Sequence, residues 1–140
     1  MTQEPLIFVV DDDGDVREST RVLLESAGFK VQDYKSAAQF LTNRPAAGGC
    51  LIVDIRMPEM DGLELQEELI HRGVDLPVIV MTGHGDVPLA VRAMKAGALD
   101  FIEKPFNAEA MLASVRRAIE IGKRTRNKLA EAKAAQDLLE

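Results

Sequence analysis

Five short strand-like segments, most of them strongly apolar, constrain the fold of this 140-residue chain more than any other feature. They alternate with five helix-like segments and cover roughly residues 6–10, 30–34, 50–54, 77–81 and 99–102. Short apolar runs of this kind are typical of strands buried on both faces of a parallel sheet. Because repeated strand–helix alternation requires right-handed crossovers, the sequence predicts an α/β domain, doubly wound, with helices on both faces of the sheet.

The helix-like segments carry periodic apolar residues and capping residues. The stripe formed by Val87, Ala90, Val91 and Met94 predicts an amphipathic helix. A second stripe ends before Gly28, which is a plausible helix stop. Candidate capping residues are Asp13, Asp15, Ser36 with Gln39, Asp61 with Glu64, Asp86 and Asn107.

Charge is unevenly distributed along the chain, whose net charge is −6. Residues 1–106 carry a net charge of −8, whereas residues 107–140 carry +2. An acidic body argues against direct binding of nucleic acid. The single cysteine, Cys50, cannot form an internal disulfide, which suits a reducing compartment. No apolar stretch reaches the length of a membrane span and no signal-peptide pattern begins the chain, so we expect a cytoplasmic protein.

Polar residues of complementary chemistry follow the apolar strands. Asp11 and Asp12 follow the first, Asp54 ends the third, Thr82 follows the fourth and Lys104 follows the fifth. Ligands of parallel sheets bind beyond the carboxyl ends of the strands, so these side chains should meet at one edge. Carboxylates, a hydroxyl and an ammonium at one edge predict a site for a divalent cation and a phosphoryl group.

The carboxylates in this set suggest specific roles. Asp54 is the candidate nucleophile, since a carboxylate can accept a phosphoryl group to form an acyl phosphate. Asp11 and Asp12 beside it would repel each other unless a cation intervened, and Mg²⁺ suits such an all-oxygen site. An isolated aspartate is more often a helix cap or a solvated loop residue, and capping is the better interpretation for Asp13 and Asp15. Two separated histidines and one cysteine make a zinc site improbable.

Four motifs together resemble the receiver domain of two-component response regulators, over about residues 5–120. They are residues 9–13 (VVDDD), 54–62 (DIRMPEMDG), 82–86 (TGHGD) and 101–106 (FIEKPF). The last two look most like receivers of the FixJ type and, less closely, of the NtrC/DctD type. The resemblance implies a flavodoxin-like fold with strand order 2-1-3-4-5.

The resemblance also implies roles for individual residues. By it, Asp54 is the phosphoacceptor, and Asp11 and Asp12 hold Mg²⁺ together with Asp54 and the main-chain carbonyl of Arg56. By the same resemblance, Lys104 pairs with the phosphoryl group, and the Lys–Pro peptide bond that follows it is cis, as in other members of this family.

Further implied residues form the switch and its surroundings. Thr82 is the switch hydroxyl and Phe101 the aromatic residue that changes rotamer with it. Arg56 and His84 flank the phosphoryl group and are expected to tune its lifetime.

The resemblance predicts a signalling switch rather than an enzyme. A sensor histidine kinase would phosphorylate Asp54 and thereby change the surface formed by the helix near 86–97, the fifth strand and the helix after Asn107. Transcription would then be regulated through an output domain absent from this chain. Residues 1–120 would form the receiver, and residues 121–140 a helical extension or linker. That surface or the C-terminal helix, with its weak 4-3 pattern from Ala118 to Leu139, could support a homodimer.

Two other functions fit parts of the sequence. An aspartyl-phosphate phosphatase of the haloacid-dehalogenase type also uses Asp, Mg²⁺ and Lys, and Asp11-Asp12-Asp13 matches its Asp-x-Asp pair. In that enzyme Asp54 would lack a role, and the chain has no room for a cap domain. The second alternative is an interaction module that works without phosphorylation.

Overall fold

Strands and helices alternate along the whole described chain. A computed structural model describes residues 5–45, 48–83 and 85–139, with residues 125–139 described as backbone only. In these residues the elements are β1 (Leu6–Val10), α1 (Gly14–Ser26), β2 (Lys30–Tyr34), α2 (Ala37–Asn43), β3 (Cys50–Asp54), α3 (Gly62–His71), β4 (Val78–Thr82), α4 (Val87–Lys95), β5 (Asp100–Glu103) and α5 (Ala108–Leu139). The predicted number and order of elements are confirmed.

The strands form one parallel sheet in the order β2-β1-β3-β4-β5. The predicted α/β, flavodoxin-like fold is therefore confirmed. β4 and β5 each lie one residue later than predicted, so Thr82 is the last residue of β4 rather than the first after it.

The core consists of two apolar layers, one on each face of the sheet. Alternate residues of β1 show the division: Phe8 and Val10 pack with α2, α3 and α4, while Ile7 and Val9 pack with α1 and α5. Cys50 belongs to the second layer and is fully buried, and burial raises the pKa of its thiol to about 12. With both faces covered, only the ends of the strands are open to ligands.

Most of the predicted caps are present. Asp13, Ser36, Asp61 and Asn107 each accept a hydrogen bond from a backbone amide in the first turn of the following helix. Asp61 with Glu64 forms a reciprocal capping box. Gly28, with φ of +95°, follows α1 as predicted.

Two capping predictions were wrong. Asp15 lies inside the first turn of α1, because Asp13 already accepts hydrogen bonds from the amides of Asp15 and Val16. Asp86 occupies the N-cap position of α4 but makes no capping hydrogen bond there. Its carboxylate pairs with Arg56 and Gly83 instead.

The apolar stripe of α4 is mostly turned to solvent. Of the four predicted stripe residues only Ala90 is buried, while Val87, Val91 and Met94 are exposed. The buried contact of α4 is made by Ala90 and Ala93, small residues that bring the helix close to the sheet.

The last helix continues without a break across residue 120. α5 extends from Ala108 to Leu139 as a single helix. Ala118, the first residue of the predicted 4-3 seam, is fully buried in the layer of the core that α5 covers. The seam residues from Thr125 onward lie outside the described side chains.

Gly62 at the start of α3 is expected to be much less tolerant of substitution than Gly14 at the start of α1. A Cβ on Gly62 would lie 2.7 Å from the carbonyl oxygen of Asp54, whereas a Cβ on Gly14 would meet only the Arg17 side chain at 3.6 Å. We expect Gly62→Ala to lower the free energy of unfolding by about 1–3 kcal/mol, because backbone must move. Gly14→Ala, the matched control, should change it by less than about 1 kcal/mol. Urea unfolding measures both, and equal effects would contradict the predicted difference.

Candidate functional site

Three carboxylates meet at the carboxyl edge of the sheet. The parallel register pairs Val10 with Val53, which places Asp11 and Asp12 beside Asp54. One oxygen from each of these three aspartates lies within 4.8 Å of the others. Asp11 is fully buried and Asp54 nearly so, whereas Asp12 is exposed and opens the cluster to solvent. The convergence predicted from the strand ends is therefore observed.

Lys104 supplies the positive charge of the site. Its Nζ lies 2.9 Å from Oδ2 of Asp54 and 3.1 Å from Oδ2 of Asp11. The backbone amide of Lys104 donates to the carbonyl of Thr82 at 2.7 Å, which fixes the end of β5 against β4. The Lys104–Pro105 peptide bond is cis, as the resemblance implied.

Burial and charge shift the pKa values of these groups in opposing ways. Burial raises the pKa of the Asp11 carboxyl to about 6, the Asp54 charge adds to the rise, and the Asp13 amide and Lys104 counteract it. Burial alone would lower the pKa of Lys104, but the hydrogen bond to Asp54 and charge attraction from Asp11 and Asp54 outweigh burial and raise it. Lys104 therefore stays protonated and neutralises part of the acidic cluster.

The donor set fits a hard divalent cation. Oδ2 of Asp11 is buried and accepts no aligned hydrogen bond from any residue that the structure describes, although Lys104 is near enough for an ion pair. A buried carboxylate oxygen without a hydrogen bond is costly, and a cation would satisfy it. Carboxylate oxygens are the ligands that Mg²⁺ prefers.

Thr82 and Phe101, the two residues predicted to switch, differ in burial. Thr82 is 3% exposed at the end of β4, while Phe101 in the neighbouring β5 is 42% exposed. Burial of the exposed apolar surface of this ring would be favourable, and this would drive a change of rotamer if space opened beside the ring. Their part in a switch remains a prediction.

Of the two residues predicted to tune the phosphoryl lifetime, only Arg56 can be located. Its amide donates to Oδ1 of Asp54 at 3.2 Å, and its Nε donates to Oδ1 of Asp86 at 2.6 Å. His84 lies outside the described residues. Asp86 itself was missed as a neighbour of the site, because an aspartate directly before a helix predicts a cap.

A second arginine, Arg17, donates hydrogen bonds next to the site. The sequence did not predict these contacts. Nη1 of Arg17 donates to the carbonyl oxygen of Asp11 at 2.8 Å, and its Nε donates to Oδ2 of Asp33 at 3.0 Å. These contacts connect α1 to the ends of β1 and β2. The sequence carries no signal for them, because an arginine in a first helix is usually solvated.

The pKa of Asp11 predicts a pH dependence of stability in the metal-free protein. The pKa rises from 3.8 to about 6 on folding, so between these values the folded chain binds more protons than the unfolded chain. The stabilisation is then complete below about pH 4 and is lost as pH rises through about 6, with a total of up to about 3 kcal/mol.

Urea unfolding in EDTA at several pH values tests this expectation. Asp11→Asn does not titrate at this position, so the unsubstituted chain should lose stability relative to that variant as pH rises. A difference that is constant between pH 4 and pH 7 would contradict the assignment. Asp75→Asn, which makes the same change at an exposed aspartate just before β4, is the matched control.

Comparison with known proteins agrees with this geometry. The family model described as the response regulator receiver domain matches residues 7–116. The chain belongs to the response regulator receiver family. It is thus a signalling domain rather than a conventional enzyme, and the acidic cluster of Asp11, Asp12 and Asp54 lies where receivers have their metal site.

Several of the proteins to which this receiver is similar are transcriptional regulators. The transcriptional regulatory protein FixJ of Azorhizobium caulinodans is 55% identical over 114 residues, which are 81% of this chain and 54% of FixJ. The C4-dicarboxylate transport transcriptional regulatory protein DctD of Pseudomonas aeruginosa is 49% identical over 116 residues, 82% of this chain and 25% of DctD. The predicted likeness to both types is confirmed. The chain spans about half the length of FixJ and a quarter of DctD.

A solved structure has the same fold along nearly the whole chain. The low-resolution structure of the response regulator StyR superposes with a TM-score of 0.85 at 43% identity and covers 98% of this chain and 68% of StyR. In the described part of the chain, no helix is both long and apolar enough to cross a membrane.

Proposed function

We propose that this receiver accepts a phosphoryl group on Asp54 from a sensor histidine kinase. Membership of the family implies a cognate kinase, and one contact supports the choice of acceptor. Nζ of Lys104 lies 2.9 Å from the Asp54 carboxylate, which also accepts a hydrogen bond from the Arg56 amide. Among the described residues, Asp54 is the only acid that makes both contacts.

The transfer is an in-line displacement. A carboxylate oxygen of Asp54 attacks the phosphorus of phosphohistidine, a P–O bond forms, and the P–N bond breaks as its electron pair returns to the imidazole. Phosphoryl transfer depends mainly on positioning and on stabilising the charge of the equatorial oxygens. Lys104 would supply that charge stabilisation, and the Arg56 amide would keep the attacking carboxylate oriented.

Asp11, Asp12, Asp54 and the main-chain carbonyl of Arg56 would hold Mg²⁺. When bound, the ion would neutralise negative charge that builds up during the transfer. Oδ2 of Asp11 supports this ligand set, because it is buried and has an ion pair with Lys104 but no hydrogen bond within the described residues.

Phosphorylation would switch the surface formed by α4, β5 and α5. The new group adds about −1.5 to −2 charge and three acceptor oxygens. Thr82 would turn its hydroxyl towards them, and Phe101 would rotate inward into the space left. Two states only a few kcal/mol apart suffice for this response.

The remaining parts of the proposal concern the whole protein. Residues 1–120 form the receiver and residues 121–140 a linker, through which an output domain would regulate transcription in the cytoplasm, as the name of FixJ suggests. Homodimerisation through the switched surface or through α5 is part of the proposal. The proposal does not include direct contact of the receiver with nucleic acid or with a membrane.

Labelling with a small phosphodonor such as acetyl phosphate tests the function. We expect one phosphoryl group per chain by intact mass, dependent on Mg²⁺, stable in acid and labile in base. No label under any donor and Mg²⁺ concentration, in a folded protein, would favour the interaction module that works without phosphorylation. Repeated turnover of a phosphate ester would favour the dehalogenase-type phosphatase, which the family assignment already argues against.

A further inference from the structure

An ion pair between Arg56 and Asp86 connects the chain after β3 with the chain after β4. Nε of Arg56 donates to Oδ1 of Asp86 at 2.6 Å. The Asp86 side chain is 9% exposed, whereas the Arg56 side chain is 68% exposed. The carboxylate is therefore fixed within the protein, and the guanidinium reaches it from the solvent side.

Each partner of this pair also makes a hydrogen bond at the proposed site, and a backbone amide is the donor in both. The Arg56 amide donates to Oδ1 of Asp54 at 3.2 Å. Oδ2 of Asp86 accepts from the backbone amide of Gly83 at 3.3 Å, and Gly83 directly follows Thr82. A Cβ on Gly83 would lie 3.2 Å from that oxygen, so glycine permits the close approach. The pair therefore joins the proposed phosphoacceptor to the end of β4.

Asp86 is free for this role because it does not cap α4. It stands at the N-cap position, where an aspartate usually contributes about 1 kcal/mol by accepting from the first turn. Here the side chain makes no capping hydrogen bond. Both of its oxygens are directed to Gly83 and Arg56 instead.

A phosphoryl group on Asp54 would compete with Asp86 for the guanidinium. It would carry up to two negative charges, against one on Asp86, only two residues along the chain from Arg56. Guanidinium groups bind phosphoryl oxygens strongly and with bidentate geometry. If Arg56 turns to that group, it gives up its hydrogen bond to Asp86.

We propose that Asp86 is a positioning residue that holds Arg56 and the end of β4 in the arrangement of the unphosphorylated state. The inference rests on the proposed phosphorylation of Asp54. The Arg56–Asp86 contact is made in one state and given up in the other, so it contributes to the free-energy difference between them. Removing it should favour the phosphorylated state.

Binding of beryllofluoride, a mimic of the phosphoryl group, in the presence of Mg²⁺ tests the proposal by calorimetry. Asp86→Asn removes the charge but keeps an acceptor for the Gly83 amide, and it should bind the mimic about two- to fivefold more tightly, the range expected for loss of a partly exposed ion pair. Glu68→Gln is the matched control, since Glu68 pairs with Nε of Arg72 at 2.7 Å on α3, and it should leave the affinity unchanged. A purely structural role of Asp86 would give weaker binding, the opposite sign.

The same substitution in an Arg56→Gln background separates the pair from other effects of Asp86. There Asp86→Asn should change the affinity by less than about 1.5-fold, because its partner is already absent. In the metal-free protein, Arg56→Gln should also speed hydrogen exchange of the Gly83 amide, because the Asp86 side chain that accepts from this amide is no longer held by Arg56. Unchanged or weaker binding by Asp86→Asn, or an equal gain in both backgrounds, would overturn the inference. Failure of the unsubstituted chain to bind the mimic would overturn the proposed function as well.

Discussion

Replacing Asp54 by asparagine is expected to reduce phosphorylation of the chain to background. An amide oxygen is a poor nucleophile towards phosphorus, and the amide cannot form an acyl phosphate. The fold should survive, because the amide oxygen can still accept one of the two hydrogen bonds that the carboxylate accepts from the Arg56 amide and Lys104, and loss of the charge relieves repulsion from Asp11. Because these two effects oppose each other, we expect the free energy of unfolding to fall by no more than about 1.5–3 kcal/mol, the contribution of one hydrogen bond between charged groups.

Intact-mass measurement after incubation with acetyl phosphate and Mg²⁺ checks this result. Asp75→Asn is the matched control, an exposed aspartate before β4 at the opposite end of the sheet, and it should be labelled like the unsubstituted chain. Undiminished, Mg²⁺-dependent labelling of Asp54→Asn would move the phosphoacceptor elsewhere. If Asp54→Asn does not fold, as judged by circular dichroism, Asp54→Glu replaces it in the test. Asp54→Glu retains the charge, and it should also stay unlabelled because an extra methylene group displaces its carboxylate.

Replacing Lys104 by methionine is expected to have the second-largest effect. The ammonium lies between Oδ2 of Asp54 and Oδ2 of Asp11, and its loss removes the protein's own positive charge from the site. By analogy with loss of one charge-stabilising donor in other active sites, the rate of labelling should fall about 100-fold. The metal-free protein should also lose about 1.5–3 kcal/mol, since a hydrogen bond between charged groups disappears and leaves buried Asp11 less compensated.

Single-turnover labelling and urea unfolding in EDTA measure these two effects. Lys95→Met, which makes the same change at an exposed position in the last turn of α4, should leave both quantities unchanged. Stability of Lys104→Met should recover as pH falls through the titration of the Asp11 carboxyl, whose pKa of about 6 rises further when Lys104 is lost, because the neutral carboxyl needs no cation. A labelling rate within a factor of about two of the unsubstituted chain would show that Lys104 does not stabilise the transfer.

The sequence predicted the fold because the first, third and fourth strands are apolar runs and because the resemblance to receivers supplied the strand order. Residues 50–53 (CLIV) and 78–81 (VIVM) are continuous apolar runs of the length typical of strands in a sheet that is covered on both faces. Once the strands are parallel, the residues after them share one edge. Asp11, Asp54 and Lys104 could therefore be placed together from a one-dimensional pattern, and the structure confirms it.

The residues that the sequence failed to place are those whose partners come from distant segments. Asp86 has the position of a helix cap and Arg17 that of a solvated helix residue, yet each has its hydrogen bonds elsewhere. Likewise, the stripe of Val87, Val91 and Met94 fits a buried helix face by its period. The helix is rotated so that Ala90 and Ala93 meet the sheet, and periodicity alone does not report which face another element covers.

What the sequence determined by itself is the parallel α/β sheet and the collection of acidic, hydroxyl and ammonium groups at its carboxyl edge. These follow from local hydrophobicity and from the polarity of strands, which are properties of single segments. Only the tertiary structure decided how charge is balanced there, with Lys104 between two carboxylates, a buried oxygen of Asp11 left without a hydrogen bond, and Arg56 drawn to Asp86. Ion pairs and pKa shifts depend on distances of a few ångströms and on burial, and neither is set until the loops after the strands have packed.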